Sequence, residues 1–136
     1  MPDGETLRAL LSHRFQAMTD YQRNVLKPAL REEAAAAGAK LRALLPRKLR
    51  KGMVDDGRWL KPEARAQLQA WIASKPRIQT LVEYRARLSE VLESRSHDAG
   101  EKLKRLQAWC AAADASGVRA LQEYAIRLRG YALVPA

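Results

Sequence analysis

Apolar residues recur at three- and four-residue steps from one end of this chain to the other, and no stretch alternates apolar with polar as a half-buried strand does. That period confines the chain to helices whose apolar stripes must be buried against one another. The expected fold class is all-α: a single bundle of about six mostly antiparallel amphipathic helices over residues 1–136. A chain of this length buries roughly two-thirds of its unfolded surface, so it needs neither a metal nor a disulfide to fold. Its one cysteine, Cys110, has no partner for an internal bridge, which fits a reducing compartment.

Leu7, Leu10, Leu11, Phe15, Met18 and Val25 place a first helix at about Glu5 to Lys27, within residues 1–28. Pro28 is read as a break rather than a kink, because a proline inside a helix costs about 3 kcal/mol. Residues 29–54 read as a basic, alanine-rich helix that is largely exposed and weakened by Gly38 and Pro46. Asp55-Asp56-Gly57 marks a turn. Four helices are expected over residues 58–131. The first starts at Pro62 and buries Ala64, Leu68, Trp71 and Ile72. Ser74-Lys75-Pro76 ends it and opens the second, with Ile78, Leu81, Val82, Leu88, Val91 and Leu92 as its stripe. Asp98 and Glu101 have capping-box spacing for the third, whose face is Leu103, Leu106, Cys110 and Ala113 with Trp109 beside it. Gly117 suits the left-handed end of that helix. Val118, Leu121, Ala125 and Leu128 line the last, which Gly130 closes.

Little in this pattern resembles catalysis. His13 and His97 each lack a second histidine or cysteine at ligand spacing, and metal sites need three or four convergent ligands. Cys110 lies on an apolar helix face and reads as a small core residue. Glu32 and Glu33 are adjacent, so a helix points them apart, and Asp55-Asp56 is turn chemistry. Trp71 and Trp109 read as core anchors. No phosphate loop, catalytic triad or dinucleotide fingerprint is present. The expectation is a non-enzyme, with no catalytic, cofactor or metal site.

Charge is the remaining signal. Twenty-five Lys and Arg against fifteen Asp and Glu leave a net charge of +10, which favours anionic partners. The stretch KLRALLPRKLRK carries Lys40, Arg42, Arg47, Lys48, Arg50 and Lys51 with no acid among them and with Leu41, Leu44, Leu45 and Leu49 interleaved. These six cations are the candidate anion- or lipid-surface residues. On an anionic membrane each contributes roughly 1 kcal/mol. A solvated helix end whose leucines pack inward is the leading reading of the run, an anionic lipid surface comes next, and the phosphates of a nucleic acid follow. The aromatics are not interleaved with this run as a base-stacking platform would require. The start, MPDGETLRALL, has acids where a secretory signal is basic, and no run approaches the roughly 20 apolar residues of a membrane span. The chain therefore reads as cytosolic in character.

The segment LQAWCAAADASGVRALQEYAIRLRGY resembles the C-terminal end of bacterial membrane-bound fatty acid desaturases, at Leu106, Trp109, Cys110, Ala113, Ser116, Gly117, Leu121, Tyr124, Leu128 and Tyr131. HRFQAMTDYQRNVLKPALREE, from His13 to Glu33, is similar to the helix that follows the membrane part of those enzymes, and YRARLSEVL to a helix before the final pair. The family's chemistry uses histidine boxes that bind two irons, together with membrane-spanning helices. This sequence has neither, so no catalytic or iron-binding residue is carried over. The resemblance implies a non-catalytic cytosolic domain, peripheral to the inner membrane, whose partner is an anionic membrane surface or the desaturase catalytic domain. A second resemblance is to the C-terminal helical part of insertion-sequence transposases, through the Trp, the A-x-x-S-G pattern and the tyrosine-bearing helix at Leu81 to Leu92. It implies a nucleic-acid-associated domain. A helical scaffold that binds only protein is the third class.

Overall fold

The computed structural model describes residues 15–93 and 99–132, and every regular element among them is helical. Seven helices follow one another. Helix α1 occupies residues 15–37, α2 Leu41–Leu44, α3 Arg47–Val54, α4 Pro62–Ala73, α5 Pro76–Glu93, α6 Ala99–Ala115 and α7 Arg119–Ala132. The all-α expectation holds, with seven helices in place of about six. The first-helix stripe residues Leu7, Leu10 and Leu11, the capping residue Asp98 and the two histidines, His13 and His97, lie outside the described residues.

Three of the expected boundaries are corrected. The chain does not leave helical conformation at Pro28. A proline ring clashes with the carbonyl four residues back in an α-helix. Here a π-helical turn over Gln22–Leu26 immediately precedes the α-helical segment Lys27–Ala37, with Pro28 in its first turn and Leu26 still right-handed helical. The wider turn accommodates the ring without ending the helix. Conversely, residues 29–54 are not one helix. Gly38 closes α1 in the left-handed conformation, and its N–H reaches the carbonyls of Ala34 and Ala35. Leu45 and Pro46 are extended and separate α2 from α3. Gly130 does not close the last helix either; α7 runs through it to Ala132.

Of the described residues, 15–21, 85–93 and 99–132 form one compact unit, and 22–84 another. In the first, α6 and α7 pack together as a helical pair. Ser116 builds the turn between them: its hydroxyl donates to the Ala113 carbonyl at 2.6 Å and accepts from the Val118 N–H at 3.1 Å. Gly117 follows with φ +73°, as expected. The core of this unit holds Leu88, Leu92, Leu106, Cys110, Ala113, Leu121, Ala125 and Leu128. Each fully buried leucine contributes roughly 1.5–3 kcal/mol. At its centre the rings of Tyr21, Trp109 and Tyr124 meet edge to face, with centroids 4.9 Å apart for Tyr21–Tyr124 and 5.6 Å for Trp109–Tyr124. The buried Tyr124 hydroxyl donates to the Ala17 carbonyl at 2.7 Å, so its polar end is satisfied. Asp114 of α6 and Arg129 of α7 form an exposed pair at 2.6 Å. The Arg129 hydrogen bond holds the Asp114 carboxyl below its ordinary range.

Phe15, expected on the buried stripe, is 70 % exposed. The stripe of α1 is centred instead on Ala17, Met18 and Tyr21. At 100° per residue, Phe15 points almost opposite to Ala17. In α4 only Leu68 is fully buried, while Ala64, Trp71 and Ile72 are half-buried. Ile78, Leu81, Leu88 and Leu92 of α5 are buried as expected, with Val82 and Val91 at the margin.

Two outcomes follow. Replacing Tyr124 by Phe removes the bond to Ala17 and should lower stability by about 0.5–1.5 kcal/mol in urea denaturation. Burial pushes the Cys110 thiol up from its ordinary value, only partly opposed by Arg129. A thiol that holds its proton more tightly when folded contributes stability that is complete below its unfolded pKa and is lost as pH rises through the folded one. The native protein should therefore resist thiol-alkylating reagents at neutral pH, and its denaturation midpoint should fall at alkaline pH by less in Cys110→Ala.

Candidate anion-binding cleft

The unit of residues 22–84 contains a cleft of about 470 Å³. One wall is α1, where Lys27 and Arg31 stand four residues apart and so share a face. The other is α3, where Arg47, Arg50 and Lys51 share a face for the same reason. Leu30, Leu41 and Val54 add apolar surface, and Gln22 and Asp55 complete the lining.

The corner at Leu45-Pro46 shapes this site. A residue before proline is pushed to extended conformation, and Leu45 sits there at φ −154°, ψ 126°. Its side chain is buried, as is that of Leu49 one turn into α3. Arg50 donates from Nε to the Leu45 carbonyl at 2.9 Å, which fixes the guanidinium against the corner. Gly52 packs so closely on Leu60 that a Cβ there would lie 2.5 Å from Leu60 Cδ1. That contact seats α3 on the loop that follows it.

The loop is held as expected for turn chemistry. Asp55 Oδ1 accepts from the Gly57 N–H at 2.7 Å, and Asp56 Oδ1 accepts from the Arg58 N–H at 3.0 Å. Gly57 has φ +67°, and a Cβ added to it would lie 3.0 Å from the Gly52 carbonyl oxygen. The second oxygen of Asp55 accepts from Trp59 Nε1 at 2.8 Å, and Lys51 Nζ lies 5.7 Å from the Trp59 ring centroid. This is a cation–π distance. The only acid on the cleft wall is thus already engaged through both oxygens.

Of the six cations singled out in the sequence, Arg47, Arg50 and Lys51 line the cleft, whereas Lys40, Arg42 and Lys48 do not. Lys40, Arg42 and Lys48 are exposed, and Leu41 and Leu44 are half-buried rather than displayed. Lys27 and Arg31 were missed, although their spacing of four after the Gln22–Leu26 stretch was legible. Among the described residues, none of the five cleft cations is within ion-pair distance of a carboxylate, while six other arginines are. Also among the described residues, no group of three or more His, Cys, Asp or Glu side chains could hold a metal, and no helix is long and apolar enough to cross a membrane. Cys110 is buried in the α6–α7 core, away from any such cluster.

No protein-family model, curated protein or solved structure matches the chain.

Substituting Gly57 by Ala forces a side chain into left-handed backbone against the Gly52 carbonyl. The expected cost is about 1–2 kcal/mol by chemical denaturation, larger than for Gly38→Ala, where nothing lies within 4 Å of the added carbon.

Proposed function

We propose that this chain is a non-catalytic helical domain that works beside a fatty acid desaturase-like membrane protein, docking through its basic surface on anionic lipid headgroups. The observation that carries this reading is the group of unpaired cations gathered on α1 and α3, with Lys40, Arg42 and Lys48 exposed in the same stretch of chain. Charge of one sign on neighbouring side chains costs a helix about 0.2–0.5 kcal/mol per pair, and an anionic surface offsets it. The desaturase resemblance supports the parentage but not a site. Of the ten residues that carry it, Leu106, Trp109, Cys110, Ala113, Leu121, Tyr124 and Leu128 are buried, whereas Ser116 and Gly117 form the turn between α6 and α7. They speak to how α6 and α7 pack. With Leu45 and Leu49 buried, docking is electrostatic rather than by insertion, and it weakens with salt. The domain then acts in the cytoplasm at the inner-membrane surface.

One feature favours the transposase-like, nucleic-acid reading as the runner-up: Trp59 is 46 % exposed beside Lys51, where a base could stack.

Co-sedimentation with vesicles separates the two. Binding to phosphatidylglycerol-containing vesicles and not to phosphatidylcholine alone, undisplaced by duplex DNA, is the expected result. Removing charge at Arg47, Lys48, Arg50 and Lys51 together should abolish vesicle binding while helicity survives in circular dichroism. Undiminished binding of that variant sinks the docking reading, and displacement by DNA moves the assignment to nucleic acid.

A further inference from the structure

Beyond surface docking, we infer that the cleft between α1 and α3 is a preformed binding site for a single organic ligand carrying two linked phosphates. This inference shares Arg47, Arg50 and Lys51 with the docking reading, but it is tested with a soluble ligand and so stands or fails separately. Five cations, Lys27, Arg31, Arg47, Arg50 and Lys51, converge on one space with one carboxylate, a formal excess of four positive charges. A monophosphate brings only about −1.5 to −2 at neutral pH and leaves that excess half-neutralised. Two linked phosphates bring about −3 and come closer to it.

Three further observations fit a built ligand site. The cations come from two helices that line the same cleft, so an anion in it is contacted from both. Arg50 spends only Nε on the Leu45 carbonyl; among the described residues no acceptor meets its two terminal nitrogens, the pair that grips a phosphate end-on. Asp55 is tied to Gly57 and Trp59, so it does not swing in to pair with the arginines. The volume, about 470 Å³, falls within the roughly 300–1,000 Å³ of small-molecule sites. It is larger than a bare diphosphate needs. Leu30, Leu41 and Val54 give the remaining space an apolar wall, which suits an organic group attached to the phosphates. The source of the diphosphate chemistry is either a soluble ester or a lipid headgroup with two phosphates.

The full chain is titrated calorimetrically with inorganic pyrophosphate, then with inorganic phosphate, in low-salt buffer. Saturable one-to-one binding of pyrophosphate, at least about tenfold tighter than phosphate, is expected. Arg31→Gln and Arg47→Gln, both at exposed positions, should each weaken it about tenfold, the worth of one charge-assisted hydrogen bond, with circular dichroism unchanged. The triple variant Lys40→Gln, Arg42→Gln, Lys48→Gln should bind pyrophosphate as the parent does. If the triple variant loses vesicle binding while keeping pyrophosphate, docking and cleft are separate functions. Failure of vesicle binding alone defeats the docking reading and leaves the cleft site standing.

Vesicles containing an isoprenoid lipid diphosphate identify the source: displacement by pyrophosphate, lost in Arg47→Gln, supports a headgroup in the cleft, and pyrophosphate binding that leaves vesicles attached supports a soluble ester. Three results overturn the inference. They are no saturable pyrophosphate binding, equal loss in the triple variant and the cleft variants, or a DNA duplex that displaces pyrophosphate and fails to bind the cleft variants.

Discussion

A proline ring crowds the backbone of the residue before it and disfavours α-helical conformation there, and this constraint divides the chain between Ala39 and Glu93. Leu45 is extended before Pro46, and Lys61 is extended before Pro62. Pro76 opens α5. Without the corner at Pro46, the basic run would continue as one helix. Its cations would then be distributed around a single cylinder. With the corner in place, Leu45 and Leu49 are buried, and Arg47, Arg50 and Lys51 line one cleft together with Lys27 and Arg31. The same residue type has a different outcome at Pro28, where the π-helical turn over Gln22–Leu26 absorbs the ring and the helix carries on. Lys27 and Arg31 owe their common face to that continuity.

The two units are stabilised by different means. In that of α6 and α7, large side chains interlock, and the one polar group carried inside by Tyr124 finds the Ala17 carbonyl. Its ion pairs are exposed and add little, on the order of 0–1 kcal/mol each. In that of residues 22–84, close backbone approach matters more. Gly52 against Leu60 and Gly57 against the Gly52 carbonyl bring α3 and its loop together where a larger residue would hold them apart. The loop then fixes Asp55 and Trp59, and through them Lys51. A rigid rim of this kind lowers the ordering cost of binding an anion.

Much of the architecture was readable in the residues. Helical periodicity marked the fold class, and Ser74-Lys75-Pro76, Asp55-Asp56-Gly57 and Gly117 marked turns through local backbone chemistry that tertiary contacts do not override. The misreadings have physical causes. Phe15 fits a three- and four-step stripe with Met18 as well as Ala17 and Tyr21 do, and spacing alone does not say which stripe meets a neighbour. Gly130 carries no information about where α7 ends, because an exposed glycine costs a helix only about 1 kcal/mol and the packing of Leu128 and Tyr124 outweighs it. For the site, the basic run was visible, but only half of its six cations enter the cleft.

By itself, then, the sequence determined that this chain folds as amphipathic helices, carries a large positive charge and keeps Cys110 and Trp109 on apolar faces. These follow from properties each residue has in any context: side-chain polarity, helical period and the backbone limits of glycine and proline. Tertiary structure alone decided which cations face one another. Lys27 and Arg31 lie some twenty residues before Arg47, Arg50 and Lys51 in the chain. Their meeting depends on the π turn at Gln22–Leu26, the corner at Pro46 and the burial of Leu45 and Leu49, acting together. No single one of these features, read in sequence, implies the cleft.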